Sequence, residues 1–215
     1  MPNWCSCILK VEGPAKEIIK FKKKAKGRGP NPQAKDKELP LSLHALVPQP
    51  IKFRKEGSDW FMWRVAHWGT KWDVASHLSL ETANTLEYRF DAAWSPPLAW
   101  AAKIGPKFPK LSFRLWYAEG GVGFAGVLTI EGADSCNEEK DYVEAHIEEY
   151  GGYGVECSYC DSDMEISQKD ALRVCEDCLK FRCAACDKHQ DAHLEDEKCP
   201  FDATVFKNIS AEKIE

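Results

Sequence analysis

The sequence predicts an α+β protein, with helices on one face of a mainly antiparallel sheet, followed by a small module that closes around zinc. Three observations carry this. Strand-like and helix-like apolar periods alternate through the first 130 residues, mixing hairpins with helical crossovers. Seven of the ten cysteines fall between 157 and 199. The charge divides near the same place: residues 1–130 hold 20 Lys+Arg and 11 Asp+Glu, whereas residues 131–215 hold 9 and 23, so nets of +9 and −14 lie within a total of −5. Two stretches of opposite sign mark two modules with different surfaces. The expected organisation is an α+β domain over 1–136, an acidic helical connector over 137–150 and a metal-binding module over 151–215.

Each element has a local reason. NWCSCILKV alternates as a strand, with Cys5, Cys7, Leu9 and Val11 on one face and Trp4, Ser6, Ile8 and Lys10 on the other. Residues two apart on a strand are separated by about 6.6 Å, the far edge of disulfide reach, so Cys5 and Cys7 read as small buried hydrophobes. Pro14 suits a helix start; Ile18, Phe21 and Ala25 form its apolar stripe and Gly27 ends it. Residues 27–40 are rich in Gly, Pro and Lys and read as a loop, and LSLHALVP (41–48) reads as a second strand. The Trp-dense segment 58–74 begins as a helix with Ser58 as its cap. Two strands then flank Thr82–Asn84; in the second, Leu86, Tyr88, Phe90, Ala92 and Trp94 share a face. SPPLAWAAKIG is a short helix with proline at its entry, and the segments either side of Gly120–Gly121 form a hairpin. NEEKDYVEAHIEEY (137–150) reads as an acidic helix.

The cysteine tail is the most specific signal. Its spacing is Cys157-x2-Cys160-x14-Cys175-x2-Cys178-x4-Cys183-x2-Cys186-x6-His193-x5-Cys199. A CxxC pair aims two thiolates at one point, and structural zinc takes four soft S/N ligands, so these eight residues complete two sites. A sequential assignment gives Cys157, Cys160, Cys175 and Cys178 to one Zn2+ and Cys183, Cys186, His193 and Cys199 to the other; a cross-braced assignment uses the same residues. His189 is an alternative ligand. Residues 151–215 hold only fifteen Val, Ile, Leu, Met, Phe and Tyr, a thin core for 65 residues. Seven cysteines cannot all pair as disulfides, and a redox CxxC comes singly rather than three in tandem. This spacing resembles the in-between-RING (IBR) zinc fold, which implies two structural zincs in successive lobes. The likeness covers about 45 residues and concerns shape: no RING pattern precedes the run, and every cysteine in it is taken as a ligand.

The N-terminal words carry a second resemblance. MPNWC, LVPQP, WRVAHWGTKWDV and FDAAWSPP, followed by a glycine-containing hairpin, resemble the YubB-type ferredoxin-like domain family of phage and plasmid proteins over residues 1–131. The resemblance implies a ferredoxin-like fold and a mobile-element origin inside a bacterial host. It supplies no catalytic residues to carry over.

Function is bounded more than named. No run of about 18 apolar residues exists, so no membrane span is expected. The N-terminus has no basic region followed by an apolar core, which points to a reducing cytoplasm. P-loop, GxSxG, HExxH and dinucleotide fingerprints are absent from the sequence, and His44, His77 and His146 lack evident partners. The leading expectation is a non-enzymatic zinc-binding protein that docks a host protein. A second is nucleic-acid binding through the basic segment 16–37, where Lys22, Lys23 and Lys24 sit among nine Lys/Arg. A third is an enzyme with its site in the Trp-rich region 60–72, where, within HWGTKW, Trp68 and Trp72 would stack a ligand and Lys71, near His67, would meet an anion. Against that stands a structural reading in which Gly69 turns the chain and the tryptophans fill core.

Overall fold

The computed structural model describes residues 3–29, 38–54 and 58–150, together with the backbone of four short strands beyond them. The chain divides into two compact units, Met1–Tyr142 and Val143–Glu215.

The first unit is built on a six-stranded sheet. In chain order its elements are β1 (Trp4–Glu12), α1 (Ala15–Ala25), α2 (Leu43–Leu46), α3 (Trp60–Trp68), β2 (His77–Glu81), β3 (Thr85–Ala93), α4 (Leu98–Ile104), β4 (Ser112–Glu119), β5 (Phe124–Glu131) and β6 (Asp134–Lys140). The strand order is β2-β3-β1-β4-β5-β6 and every neighbouring pair is antiparallel. Strands β2, β3, β1 and β4, with α1 and α4 as crossovers, make the ferredoxin-like arrangement, and the β5–β6 meander widens it at one edge. The segment between α1 and β2 is an insertion that carries α2 and α3.

The core forms where the sequence pattern puts it. Cys5, Cys7, Leu9 and Val11 of β1 and Leu86, Tyr88, Phe90 and Ala92 of β3 are buried, and α1 lays Ile18, Phe21 and Ala25 on them. Phe21 is the keystone: its ring meets Tyr88, Phe108 and Phe113 at centroid distances of 6.3, 5.1 and 5.5 Å. Burial pushes the Cys7 thiol well above its ordinary range, aided by the neighbouring Cys5 side chain, so it stays protonated and inert. The opposite face is not bare, because the cross-strand row Ile8–Trp116–Val127 is buried as well.

Three elements differ from expectation. Residues 41–48 contain the short helix α2 in place of a strand. Ser42 Oγ accepts the Ala45 N–H, and the Asp73 carboxylate accepts the N–H groups of Leu43 and His44, so a cap from 30 residues away sets the turn. Residues 134–140 form β6, an exposed edge strand, so the expected connector 137–150 begins as sheet and turns helical only in α5 (Tyr142–Tyr150). Ser58 does not cap α3; Asp59 holds the N-cap position without a side-chain bond.

LVPQP has a plain structural role. Buried Gln49 donates from Nε2 to the carbonyls of Phe53 and Trp60, accepts Arg64 Nε on Oε1, and gives its backbone N–H to His44 Nδ1. One amide thus ties α2, α3 and the 3-10 turn Ile51–Phe53 together. Burial, then the nearby Arg54 guanidinium, holds the His44 pKa low, which favours the neutral ring this bond needs.

In the second unit, β7 (Gly152–Glu156) pairs antiparallel with β8 (Asp163–Ser167), and β9 (Leu172–Cys175) pairs with β10 (Phe206–Ile209). Among the described residues no helix is long and apolar enough to cross a membrane.

Candidate functional site

The words HWGTKW and DAAWSPP fold against each other. Gly69 is the left-handed C-cap of α3, with φ 84°. A Cβ on Gly69 would lie 3.1 Å from the Pro96 carbonyl oxygen, so glycine permits this close approach. Thr70 Oγ1 donates to the Ala93 carbonyl (2.9 Å) and Ser95 Oγ donates to the Gly69 carbonyl (2.6 Å). Thr70 is buried, so the pair forms an internal clasp.

Inside the clasp is core. Trp68 is fully buried, donates Nε1 to the Val47 carbonyl (2.9 Å) and packs edge-on to Trp63 and His44. It therefore leaves the set of residues that could stack a ligand, because no ring face reaches the surface. His67 turns back on its own helix: Nδ1 lies 2.9 Å from the Trp63 carbonyl and its ring stacks on Trp63 at 4.2 Å.

Outside the clasp is a surface cluster. The Lys71 ammonium lies 4.6 Å from the Trp94 ring centroid, 4.8 Å from Trp72 and 5.9 Å from Phe61. Trp4 packs on Trp72 at 5.9 Å, and Phe61 meets Trp94 edge-on at 6.0 Å. Trp4 is 50% and Trp94 44% exposed. Lys71 and Trp72, anticipated from the sequence, are thus brought together, while Trp4, Phe61 and Trp94 complete a site whose parts are far apart in the chain. The available signal was only that tryptophan, of which the chain has eight, is rarely fully buried.

Trp94 is held at a backbone cost. Its φ is +72°, a left-handed conformation that large side chains rarely take. Its N–H donates to the Asn3 carbonyl (2.9 Å), which fastens the end of β3 to the start of β1. The flip takes the indole off the core face expected from the alternation of Leu86 to Ala92 and sets it beside Lys71. Because glycine accepts this φ and alanine does not, Trp94→Gly is expected to be about 1 kcal/mol more stable than Trp94→Ala in urea unfolding. Equal stability would remove the argument that the indole sits there against backbone preference.

The basic helix is less free than its composition suggests. Lys22 pairs with Glu81 (2.6 Å), Lys26 with Glu38 (2.7 Å) and Lys20 with Glu17 (3.3 Å), and Lys24 lies 5.9 Å from the Phe108 ring. Lys23 is exposed.

Comparison with known proteins follows this geometry. Residues 67–156 match the family model described as the ferredoxin-like domain in Api92-like protein. This chain carries a ferredoxin-like domain. The match begins at His67, takes in WGTKW, strands β2 to β6 and β7, and stops one residue before Cys157. The crystal structure of protein api92 from Yersinia pseudotuberculosis covers 65% of this chain and 98% of its own, with a TM-score of 0.51 at 9% identity. At that identity the likeness to api92 is one of fold. No curated protein matches the chain.

Among the described residues no three His, Cys, Asp or Glu side chains gather as a metal site. Cys157, Cys160, Cys178, Cys183, Cys186, His189, His193 and Cys199 lie outside the described residues, and of Cys175 only the backbone, at the end of β9, is described.

Proposed function

We propose that this chain is a non-enzymatic interaction protein that docks a protein partner through the Trp4–Phe61–Trp72–Trp94 face around Lys71. The single observation that supports it most is Trp94, an indole kept half in solvent on a strained backbone and packed against half-buried Phe61 and Lys71. Tryptophan is the residue type most enriched in binding hot spots, and an exposed group of them is unusual on a surface with no partner. The cysteine-rich tail joins this reading as an IBR-like module closed by two structural zinc ions on the ligands set out above. The YubB-type words support a mobile-element protein working on host machinery in the bacterial cytoplasm.

Nucleic-acid binding through residues 16–37 is the weaker reading, since Lys22 and Lys26 already face carboxylates. A catalytic reading of HWGTKW loses support with His67 stacked on its own helix.

The test is partner capture from bacterial host lysate by the full chain, beside a Trp4→Ala/Trp94→Ala double variant with an unchanged circular dichroism spectrum. A protein retained by the wild type and reduced at least tenfold with the double variant is the expected result. Equal retention by both would place the interface elsewhere, and loss of all captured protein on nuclease treatment would favour the nucleic-acid reading.

A further inference from the structure

The chemistry of the partner can be read from how Lys71 is held. Resting on the docking reading above, we propose that Lys71 receives a carboxylate from an acidic segment of the partner, and that the surrounding rings wall off this ion pair. Four observations converge.

Lys71 is charged and uncompensated: among the described residues it joins no ion pair, whereas Lys10, Lys20, Lys22 and Lys26 each meet a glutamate within 3.3 Å. It is also positioned. Ring faces at 4.6 and 4.8 Å attract the ammonium without neutralising it, so its placement is settled before a partner arrives. The side chain is half-buried between indoles, and an anion seated there would be shielded from water on several sides, which is where a charged contact gains most. The unit that holds it, residues 1–142, has 21 Lys+Arg against 16 Asp+Glu, a net of +5 that favours acidic partners.

The same features argue against a nucleic-acid strand. Tracking a phosphate backbone takes a row of free cations. Near this site Arg64 donates to Gln49 and the Lys71 carbonyl, and Lys103 donates to the His67 carbonyl. Lys71 lies over the rings of both Trp94 and Trp72, so the faces it covers are closed to stacked bases. One anion in an apolar surround fits a carboxylate flanked by hydrophobic residues.

The test uses the full zinc-loaded chain and immobilised blocked peptides, Leu-Glu-Leu and Phe-Glu-Leu with their glutamine counterparts, beside oligodeoxythymidine. Binding is followed by tryptophan fluorescence. The Glu peptides are expected to bind at least tenfold more tightly than the Gln peptides, Lys71→Arg to keep that preference and Lys71→Gln to lose it. Affinity should fall with salt at a log–log slope near one, as for a single ion pair. Equal binding of Glu and Gln peptides, retention of the preference in Lys71→Gln, or no peptide binding at millimolar concentration would each overturn the proposal. Oligonucleotide binding with a steep salt slope would overturn it in favour of nucleic acid. If Trp4→Ala/Trp94→Ala abolishes partner capture while Lys71→Gln leaves it intact, the docking face stands and the carboxylate assignment alone falls.

Discussion

Trp68→Ala is expected to destabilise the ferredoxin-like domain by about 4 kcal/mol, while Lys71→Ala, three residues on, costs less than about 1 kcal/mol. The asymmetry follows from where the Gly69 clasp divides this stretch. Trp68 is sealed beneath Val47, Trp63, His44 and the Arg64 guanidinium, whose carbon lies 5.4 Å from its ring. Truncation leaves a cavity the size of an indole that α2, α3 and α4 cannot close together, because Gln49 ties α2 to α3 and Trp100 Nε1 ties α4 to the Leu43 carbonyl. It also orphans the Val47 carbonyl. Lys71 loses only ring contacts at a half-open site. Urea unfolding, followed by the near-ultraviolet signal of the domain, gives both numbers. If Trp68→Ala and Lys71→Ala prove equally mild, the division into internal frame and external site is wrong, and with it the assignment of Trp72 and Trp94 to recognition.

That division also marks how far the sequence could be read. Alternation in β1 and β3, the Ile18–Phe21–Ala25 stripe and the turns at 82–84 and 120–121 all depend on neighbours along the chain, and the fold follows them. The failures depend on partners far away. Helix α2 has a local N-cap in Ser42, but the N–H groups of Leu43 and His44 are closed by Asp73, which nothing within 41–48 announces. Strand β6 carries Asp, Ser, Cys, Asn, Glu and Lys with no buried face; only its ladder with β5 makes it a strand, and glutamate-rich chain otherwise reads as helix. Trp94 continues a period of two, yet the register ends at Ala93 and the backbone flips. HWGTKW was visible as a unit of interest, but which indole faces inward depends on a left-handed cap and a contact with Pro96. Of the Lys71 cluster, Lys71 and Trp72 were legible in that word, whereas Trp4, Phe61 and Trp94 come from other segments and had no local signature.

Removing metal from the full chain should have the largest effect. Dialysis against a strong chelator is expected to strip two zinc ions per chain and to open residues 151–215 to rapid amide exchange, while α1 and strands β1–β5 keep their protection. The reason is the balance of forces in the tail. Fifteen large apolar residues cannot offset the ordering of 65, whereas structural zinc contributes roughly 10 kcal/mol or more to folding small modules. Elemental analysis before and after dialysis gives the stoichiometry. Comparison of His193→Ala with His189→Ala assigns the nitrogen ligand, since only the true ligand's loss should lower bound zinc from two toward one. The ferredoxin-like domain is expected to survive chelation because Cys5 and Cys7 are buried among its core residues and belong to no metal cluster among the described residues. Less than one zinc per chain in freshly purified protein, with residues 151–215 still protected from exchange, would show that something other than metal holds the tail together.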